Sequence, residues 1–367
     1  MAPVFAAATR RPNLNMKIAI CTGGGDCPGL NAVIRAVTLH AVINHKMEVT
    51  GVLQSINGLM SDPPRIQKLD LESVTGILER GGTILGTSNN GSPFKDPVAG
   101  PKALAMALQN WRTMGLDGLI VVGGDGTQRM ALNLHSAGMP ILGIPKTIDN
   151  DYSPTDLSVG FTTAVEVAAA AIERLHSSAE SHSRAMVIEV MGRDAGFIAL
   201  HAGIAAGANV ILLPEIPYNF EAIVKATEAR KARGRNFSII VVAEGAFEQG
   251  KAAIFRSSAT GTFNLGGVAD EVAKQLHARV GMDARVTVLG HVQRGGTPGA
   301  VDRILATTFG VHAVDLAAKR QWGRVVTWRG GKVGNVGYED IKEGTRAIAA
   351  NDQFLHAAES IGICLGR

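Results

Sequence analysis

Six short runs of aliphatic and β-branched residues, at positions 17–22, 119–122, 141–144, 186–190, 210–213 and 238–243, set the frame for this chain. They carry apolar residues on both faces rather than at alternate positions alone, so both faces of each must be covered. Strands of that kind belong to parallel sheets, where every crossover connection lays a helix over one face or the other. The segments between them, among them 31–43, 159–175 and 220–233, have helical length and are rich in Ala, Leu, Ile and Val. The pattern predicts an α/β fold. At 367 residues the chain is longer than one core usually supports, so two lobes are expected, each a parallel-rich sheet sandwiched by helices. The boundaries predicted are 17–150 for the first lobe, 151–300 for the second and 301–367 for a crossover back to the first. Residues 1–16 read as a flexible tail, because the first strand begins directly after Met16.

With 46% hydrophobic but only 5% aromatic residues, the core must be built from small aliphatic side chains, which excludes disorder and collagen-like repetition. The chain has 36 Lys and Arg against 32 Asp and Glu, for a net charge of +4, and no run of five basic residues. That argues against nucleic acid as a partner and for local anion sites. Three cysteines, Cys21, Cys27 and Cys364, lack CxxC spacing, so neither a disulfide framework nor a structural zinc site is expected. No export signal or membrane span is read, and a reducing, cytoplasmic setting is expected.

The glycines, 44 in all, cluster where strands end, and open parallel sheets bind ligands in crevices beside those ends. Residues 22–31 (TGGGDCPGLN) join a strand to a helix. Glycine lets the backbone approach an anion, and the helix start turns free N–H groups and partial positive charge toward it. Residues 123–127 (GGDGT) repeat the arrangement after a second strand. There Asp125 would either cap the helix or hold a hard cation bridging phosphate oxygens. Residues 145–151 (PKTIDND) place Asp149 and Asp151 two apart after a third strand. The pair suits a proton acceptor with a neighbour that orients it or holds metal, and equally an Asx-rich turn. Arg184, Arg193, Arg285 and Arg294 lie at or beside strands, with His291 close to the last. Their immediate sequence supplies no partner, so a phosphorylated substrate is the expected one.

These segments, together with 81–89 (GGTILGTSN), 191–197 (MGRDAGF), 243–246 (AEGA) and 289–306 (LGHVQRGGTPGAVDRILA), resemble the 6-phosphofructokinase family in kind and in order. GGDGT also resembles NAD kinases and diacylglycerol kinases, whereas PKTIDND, MGR and GHVQRGG do not. The resemblance, from about residue 17 to 309, implies transfer of a phosphoryl group from ATP, or in some branches pyrophosphate, to the 1-hydroxyl of fructose 6-phosphate, giving fructose 1,6-bisphosphate in glycolysis. It implies a two-lobed fold, with the donor in the first lobe and the sugar phosphate in the second, assembled as homodimers or homotetramers. An NAD-dependent dehydrogenase would need a GxGxxG loop with an acidic residue closing the next strand, and a silent regulatory subunit would have no need of Asp149.

Carried onto this chain, the resemblance implies that Gly24 approaches the transferred group, Asp149 is the base with Asp151 assisting, and Thr147 lies beside the reacting hydroxyl. Gly124, Asp125, Gly126, Thr127, Asn89 and Lys146 would hold the donor, with Asp125 on Mg²⁺. Met191, Gly192, Arg193 and Glu244 would line the sugar site, with Arg193 also serving catalysis. His291 and Arg294 would take the 6-phosphate, joined by Arg184 and Arg285 from a neighbouring subunit. Many ATP-using members place Arg where this chain has Asn89, so Lys95 becomes a candidate replacement cation. Gly126 leaves room for the α-phosphate and ribose of ATP, where pyrophosphate-using relatives typically put Asp. Lys146 resembles the pyrophosphate branch. Exclusion is harder to evade than an extra cation is to tolerate, so ATP is the donor expected.

Overall fold

The computed structural model describes residues 16–89, 91–257, 263–341 and 344–367. The expected tail lies outside them apart from Met16. The first half of the chain contributes strands β1 (Lys17–Thr22), β2 (Glu48–Val52), β3 (Ile66–Leu69), β4 (Gly118–Gly123) and β5 (Ile141–Pro145). Then come β6 (Ala185–Val190), β7 (Val210–Leu212), β8 (Ser238–Ala243), β9 (Phe255–Ser257), β10 (Phe263–Leu265) and β11 (Ala284–Val288). A late hairpin adds β12 (Arg324–Arg329) and β13 (Lys332–Gly337). The helices are α1 (Leu30–His45), α2 (Ala99–Thr113), α3 (Asp125–Ser136), α4 (Phe161–Ser181), α5 (Phe197–Ala205), α6 (Phe220–Ala232), α7 (Val268–Val280), α8 (Ala300–Ala318) and α9 (Gln353–Ser360).

All six apolar runs form strands. They are divided between a seven-stranded sheet, ordered β13-β12-β5-β4-β1-β2-β3, and a four-stranded sheet, ordered β11-β6-β8-β7. The four-stranded sheet is parallel throughout. The larger one is parallel except at its two edges, where β3 and β13 run antiparallel to their neighbours. Every residue of β4, β6 and β8 is buried, as runs covered on both faces require. The β12–β13 hairpin, whose Gly-rich turns give little pattern in sequence, pairs with β5 through Arg324 and Val325 and so completes the first sheet. One continuous aliphatic cluster joins the sheets, drawing Ile20 and Ile144 from the first, Ile188 and Val241 from the second, and Ala306, Phe309 and Ala313 from α8. None of the helices is long and apolar enough to cross a membrane among the described residues, and all three cysteines are free.

This topology aims the chemistry at one place. The carboxyl ends of β1, β4 and β5 are adjacent, so the loops after them converge. Two fixings hold that convergence. Gln128, fully enclosed on α3, donates to the carbonyls of Val121, Gly123 and Ile144, and its own Oε1 accepts a 2.6 Å bond from the Tyr338 hydroxyl. Asp302 on α8, with no exposure, accepts from the amides of Gly160 and Thr163 and from the Thr163 hydroxyl at 2.6–2.9 Å, locking the start of α4. Buried polar groups with this many partners have their hydrogen-bonding capacity met, and removing one would strand the others.

Candidate active site

The loops after β1, β4 and β5 line a cavity of about 590 Å³, bounded on one side by Ser88, Asn89, Gly91, Ser92 and Lys95 and on another by Arg193 and Arg294. The first loop is held by its neighbours: Gly23 N–H donates to the Val122 carbonyl, Gly24 N–H to that of Ser88, and the Thr87 hydroxyl to that of Gly24. Gly24 has φ +76°, a left-handed conformation in which a side chain would be strained, so the backbone itself forms the cavity wall there. The Arg294 guanidinium donates to the Asp26 carbonyl at 3.2 Å, tying the basic segment 289–296 to the same loop.

Asp125 is the first residue of α3, and one of its oxygens meets Arg129 Nε at 2.9 Å, one turn on. Lys146, at the end of β5, is 3% exposed and donates to the Gly25 carbonyl. Burial, the largest influence on it, pulls its ammonium below the ordinary lysine range. The segment after Lys146 is both the Asx turn and the candidate site. Asn150 sits at φ +53°, and its amide oxygen accepts from the amide and hydroxyl of Ser158. That turn delivers Thr147, Asp149 and Asp151 to the cavity wall.

Asp149 is 5% exposed, and its Oδ1 has no hydrogen-bond partner among the described residues. Burial first, and the Asp151 carboxylate second, push its acid dissociation up to about 6, against the smaller opposing pull of Arg294 and Arg193. Asp151 is satisfied by the Thr147 hydroxyl at 3.1 Å, and the same hydroxyl accepts from the Asp149 amide. Two neighbouring carboxyls therefore differ in kind. Burial raises both, but Asp151 is engaged in a turn, while Asp149 is the more enclosed and is unpartnered, which suits a proton acceptor.

Of the residues singled out in sequence, Gly24, Asn89, Lys95, Gly124, Asp125, Gly126, Thr127, Lys146, Thr147, Asp149, Asp151, Arg193 and Arg294 all line the cavity. Met191, Gly192, Glu244, Arg184, Arg285 and His291 do not. Glu244 stands behind the wall: its Oε1 accepts from the amides of Gly192 and Arg193 at 3.2 and 3.0 Å, fixing the loop that presents Arg193. His291 is exposed. The expectation that Arg184 and Arg285 lack a partner in this chain is corrected. Asp283 receives Arg285 at 2.6 Å and lies 3.6 Å from Arg184, at the start of β11. The parallel register of β6 and β11 sets Asp283 opposite Arg184, and Arg285 follows two residues on, so both guanidiniums reach one carboxylate.

The residues that position the site rather than form it carry no motif of their own in the sequence. Gln293, wholly enclosed, accepts from the Met191 amide. Arg346 donates to the carbonyls of Asn150 and Asp156, and its own amide donates to that of Asp151. Gln293 and Gln128 at least lie inside or beside the motifs already noted. Arg346 sits in a stretch without any pattern, and only the folded chain connects it to the turn.

Fold and cavity are those of a phosphotransferase, and the comparisons with known proteins make the class definite. Residues 17–317 match the family described as Phosphofructokinase, and the chain belongs to that family. It is 44% identical to "ATP-dependent 6-phosphofructokinase 2" of Clostridium perfringens over 95% of this chain and 97% of that one. It is 41% identical to "ATP-dependent 6-phosphofructokinase 1" of Synechocystis sp. over 95% and 98%. Among solved structures it resembles phosphofructokinase from Saccharomyces cerevisiae, with a TM-score of 0.74 and 33% identity over 88% of this chain, but spans only 45% of that longer chain.

Proposed function

We propose that this enzyme transfers the γ-phosphoryl group of ATP to the 1-hydroxyl of fructose 6-phosphate, releasing ADP and fructose 1,6-bisphosphate. The observation that carries the reading is Asp149, a buried carboxylate with a free oxygen, in the cavity that also holds Asp125, Lys146, Arg193 and Arg294. In this reading the Asp149 carboxylate accepts the proton of the sugar hydroxyl as that oxygen bonds to phosphorus and the bond to the ADP oxygen breaks. Thr147 holds the hydroxyl in line. Gly24, Gly124 and Thr127 bound the donor phosphates, while Lys146, Arg193 and Lys95 supply positive charge where phosphoryl oxygens gather. Such transfer needs little covalent help and much positioning and charge stabilisation. Residues 17–150 then act as the donor lobe and 151–300 as the sugar-phosphate lobe, with 301–367 returning to the first.

Asp125 fits Mg²⁺ in the chemistry of its donor: a hard carboxylate, partly open to the cavity, beside glycines that leave room for phosphate oxygens and water. The ion, when bound, neutralises charge on the phosphates. The names carried by relatives 41–44% identical over nearly their full length support ATP as donor, as does the open space at Gly126. The direct test supplies the purified enzyme with fructose 6-phosphate and either ATP or pyrophosphate, with Mg²⁺, and follows the products by phosphorus NMR. ADP and fructose 1,6-bisphosphate are expected. Turnover with pyrophosphate alone would reassign the donor, and turnover with neither would remove the function.

Arg184 and Arg285 bear on assembly. Both gather at Asp283 instead of entering their own cavity, and between residues 288 and 304 the chain exposes Val288, Val292, Val301 and Ile304, which supports a homo-oligomer in which each subunit lends this pair to its neighbour's 6-phosphate site. Arg285→Ala should then raise KM for fructose 6-phosphate about 10-fold or more, the scale of a lost charged hydrogen bond, and leave KM for ATP within about twofold. Equal effects on the two constants in steady-state assays would contradict the proposed contact.

A further inference from the structure

Away from the cavity, α1 and α8 pack side by side and bring three donor atoms to one point. His40 Nε2 lies 2.8 Å and His45 Nε2 3.6 Å from the same oxygen, Oδ1 of Asp315. All three atoms lie within 4.8 Å of one another, and the imidazole rings meet edge to face with centroids 5.0 Å apart. No residue of this group lines the phosphoryl-transfer cavity.

We propose that His40, His45 and Asp315 form a site for a borderline divalent transition-metal ion, of which zinc is the representative. Bonds of about 2.0–2.1 Å to a tetrahedral ion hold its ligand atoms roughly 3.3–3.4 Å apart, and the two separations from Asp315 fall on either side of that spacing. Two imidazoles and one carboxylate are too rich in nitrogen for Mg²⁺ or Ca²⁺, and they leave a fourth position for water. The side chains are partly buried, at 18%, 29% and 41% exposed for His40, His45 and Asp315, so an ion can enter from solvent.

The surroundings favour a cation further. His45 is the last residue of α1, and Asp315 lies in the last turn of α8, so the negative ends of two helix dipoles lie in this region. The nearby Lys46 ammonium is engaged with the Ile43 carbonyl, and His312, one turn before Asp315, is engaged with Asn335. The atom 2.9 Å from His40 Nδ1 is the amide nitrogen of Asn44. Binding of the ion would turn that amide over, so that its oxygen accepts from Nδ1–H and Nε2 ligates, the arrangement that usually orients a metal-bound imidazole. A lone His–Asp hydrogen bond would not need the second histidine at the same oxygen.

The test titrates the full chain, in chelator-free buffer saturated with Mg²⁺, with Zn²⁺ by calorimetry and with Co²⁺ by visible absorption. One zinc per chain at this site and a tetrahedral Co²⁺ band are expected. His45→Ala and Asp315→Asn should each remove that band and weaken the zinc event at least 10-fold, and Asn44→Ala should weaken it about 10-fold. Zinc should raise the wild-type Tm and not that of His45→Ala. The His45→Ala substitution sits at a solvent-facing helix end, so its Tm in EDTA should match the wild type and keep the comparison valid if Asp315→Asn folds poorly. An unchanged zinc titration in His45→Ala, or no saturable zinc binding in the wild type, would overturn the proposal.

Discussion

Asp149→Ser should lower kcat by about 10²-fold or more, the scale on which a positioned base contributes, while KM for fructose 6-phosphate and ATP stays within a few-fold. The carboxylate is enclosed beside Asp151 with one oxygen unpartnered, so a hydroxyl in its place leaves the cavity's shape and removes its proton acceptor. The wild-type pH profile gives a second readout. Enclosure and the charge of Asp151 raise the group to about 6, and only its ionised form accepts a proton, so kcat/KM should be retained above that pH and fall as pH drops through it. The acid limb should vanish in the variant. Single-turnover measurements showing unchanged kcat would remove Asp149 from the role.

A stability measurement separates this from a merely structural carboxylate. The folded group is raised above its unfolded value of 3.8, so the native state holds the proton more tightly. Its favourable contribution is therefore complete below about pH 4 and lost as pH rises through about 6. Above that, the buried charge costs stability, on the order of 2–3 kcal/mol for a shift of this size. Asp149→Asn should unfold at higher denaturant than wild type at pH 7.5, with the difference fading below about pH 4. A carboxylate serving the fold would show the opposite sign, and the unfavourable burial is what a site retained for chemistry carries.

What could be read from the sequence divides along a physical line. Short β-branched runs that are apolar on both faces declare themselves, and 17–22 and 238–243 form strands with those limits. β11 showed only as a strand beside Arg285 and not as one of the apolar runs, because it lies at the edge of its sheet, pairs only with β6 and leaves several side chains partly exposed, so Ala284–Val288 carries Arg and Thr among its valines. The loops that line the cavity were legible for a related reason: glycine, carboxylate and lysine gather at strand ends at one place in the chain. Glu244, Gln293, Asp302 and Arg346 act across 50 to 200 residues by accepting or donating to distant backbone, and no local spacing encodes such a partnership. Glu244 was placed in the sugar site by resemblance. Its Oε1 holds the backbone behind that wall. Asp283 is a local partner of Arg285, two residues away, but the same limit hid its pairing with Arg184, 99 residues away, which exists only because β6 and β11 are neighbours.

Gly126→Asp should abolish most ATP turnover, lowering kcat/KM for ATP by about 10²-fold, without weakening the fold. A Cβ built at Gly126 meets nothing within 4 Å, so the protein itself has room for a side chain there. The position is the second residue of α3, where a carboxylate interacts favourably with the helix dipole by roughly 0.3–1 kcal/mol, and Tm should hold or rise slightly. The cost falls on the ligand alone. A carboxylate projected into the cavity meets the α-phosphate and ribose of a nucleotide, and like charges brought together in a partly enclosed site cost several kcal/mol. Pyrophosphate has neither group, so any activity with it should be spared. Gly126→Ala separates bulk from charge: it adds the methyl without the anion and should lose at most a few-fold. A Gly126→Asp enzyme with kcat/KM for ATP within twofold of wild type, measured at saturating fructose 6-phosphate and fixed Mg²⁺, would place the nucleotide elsewhere and detach the donor assignment from this loop.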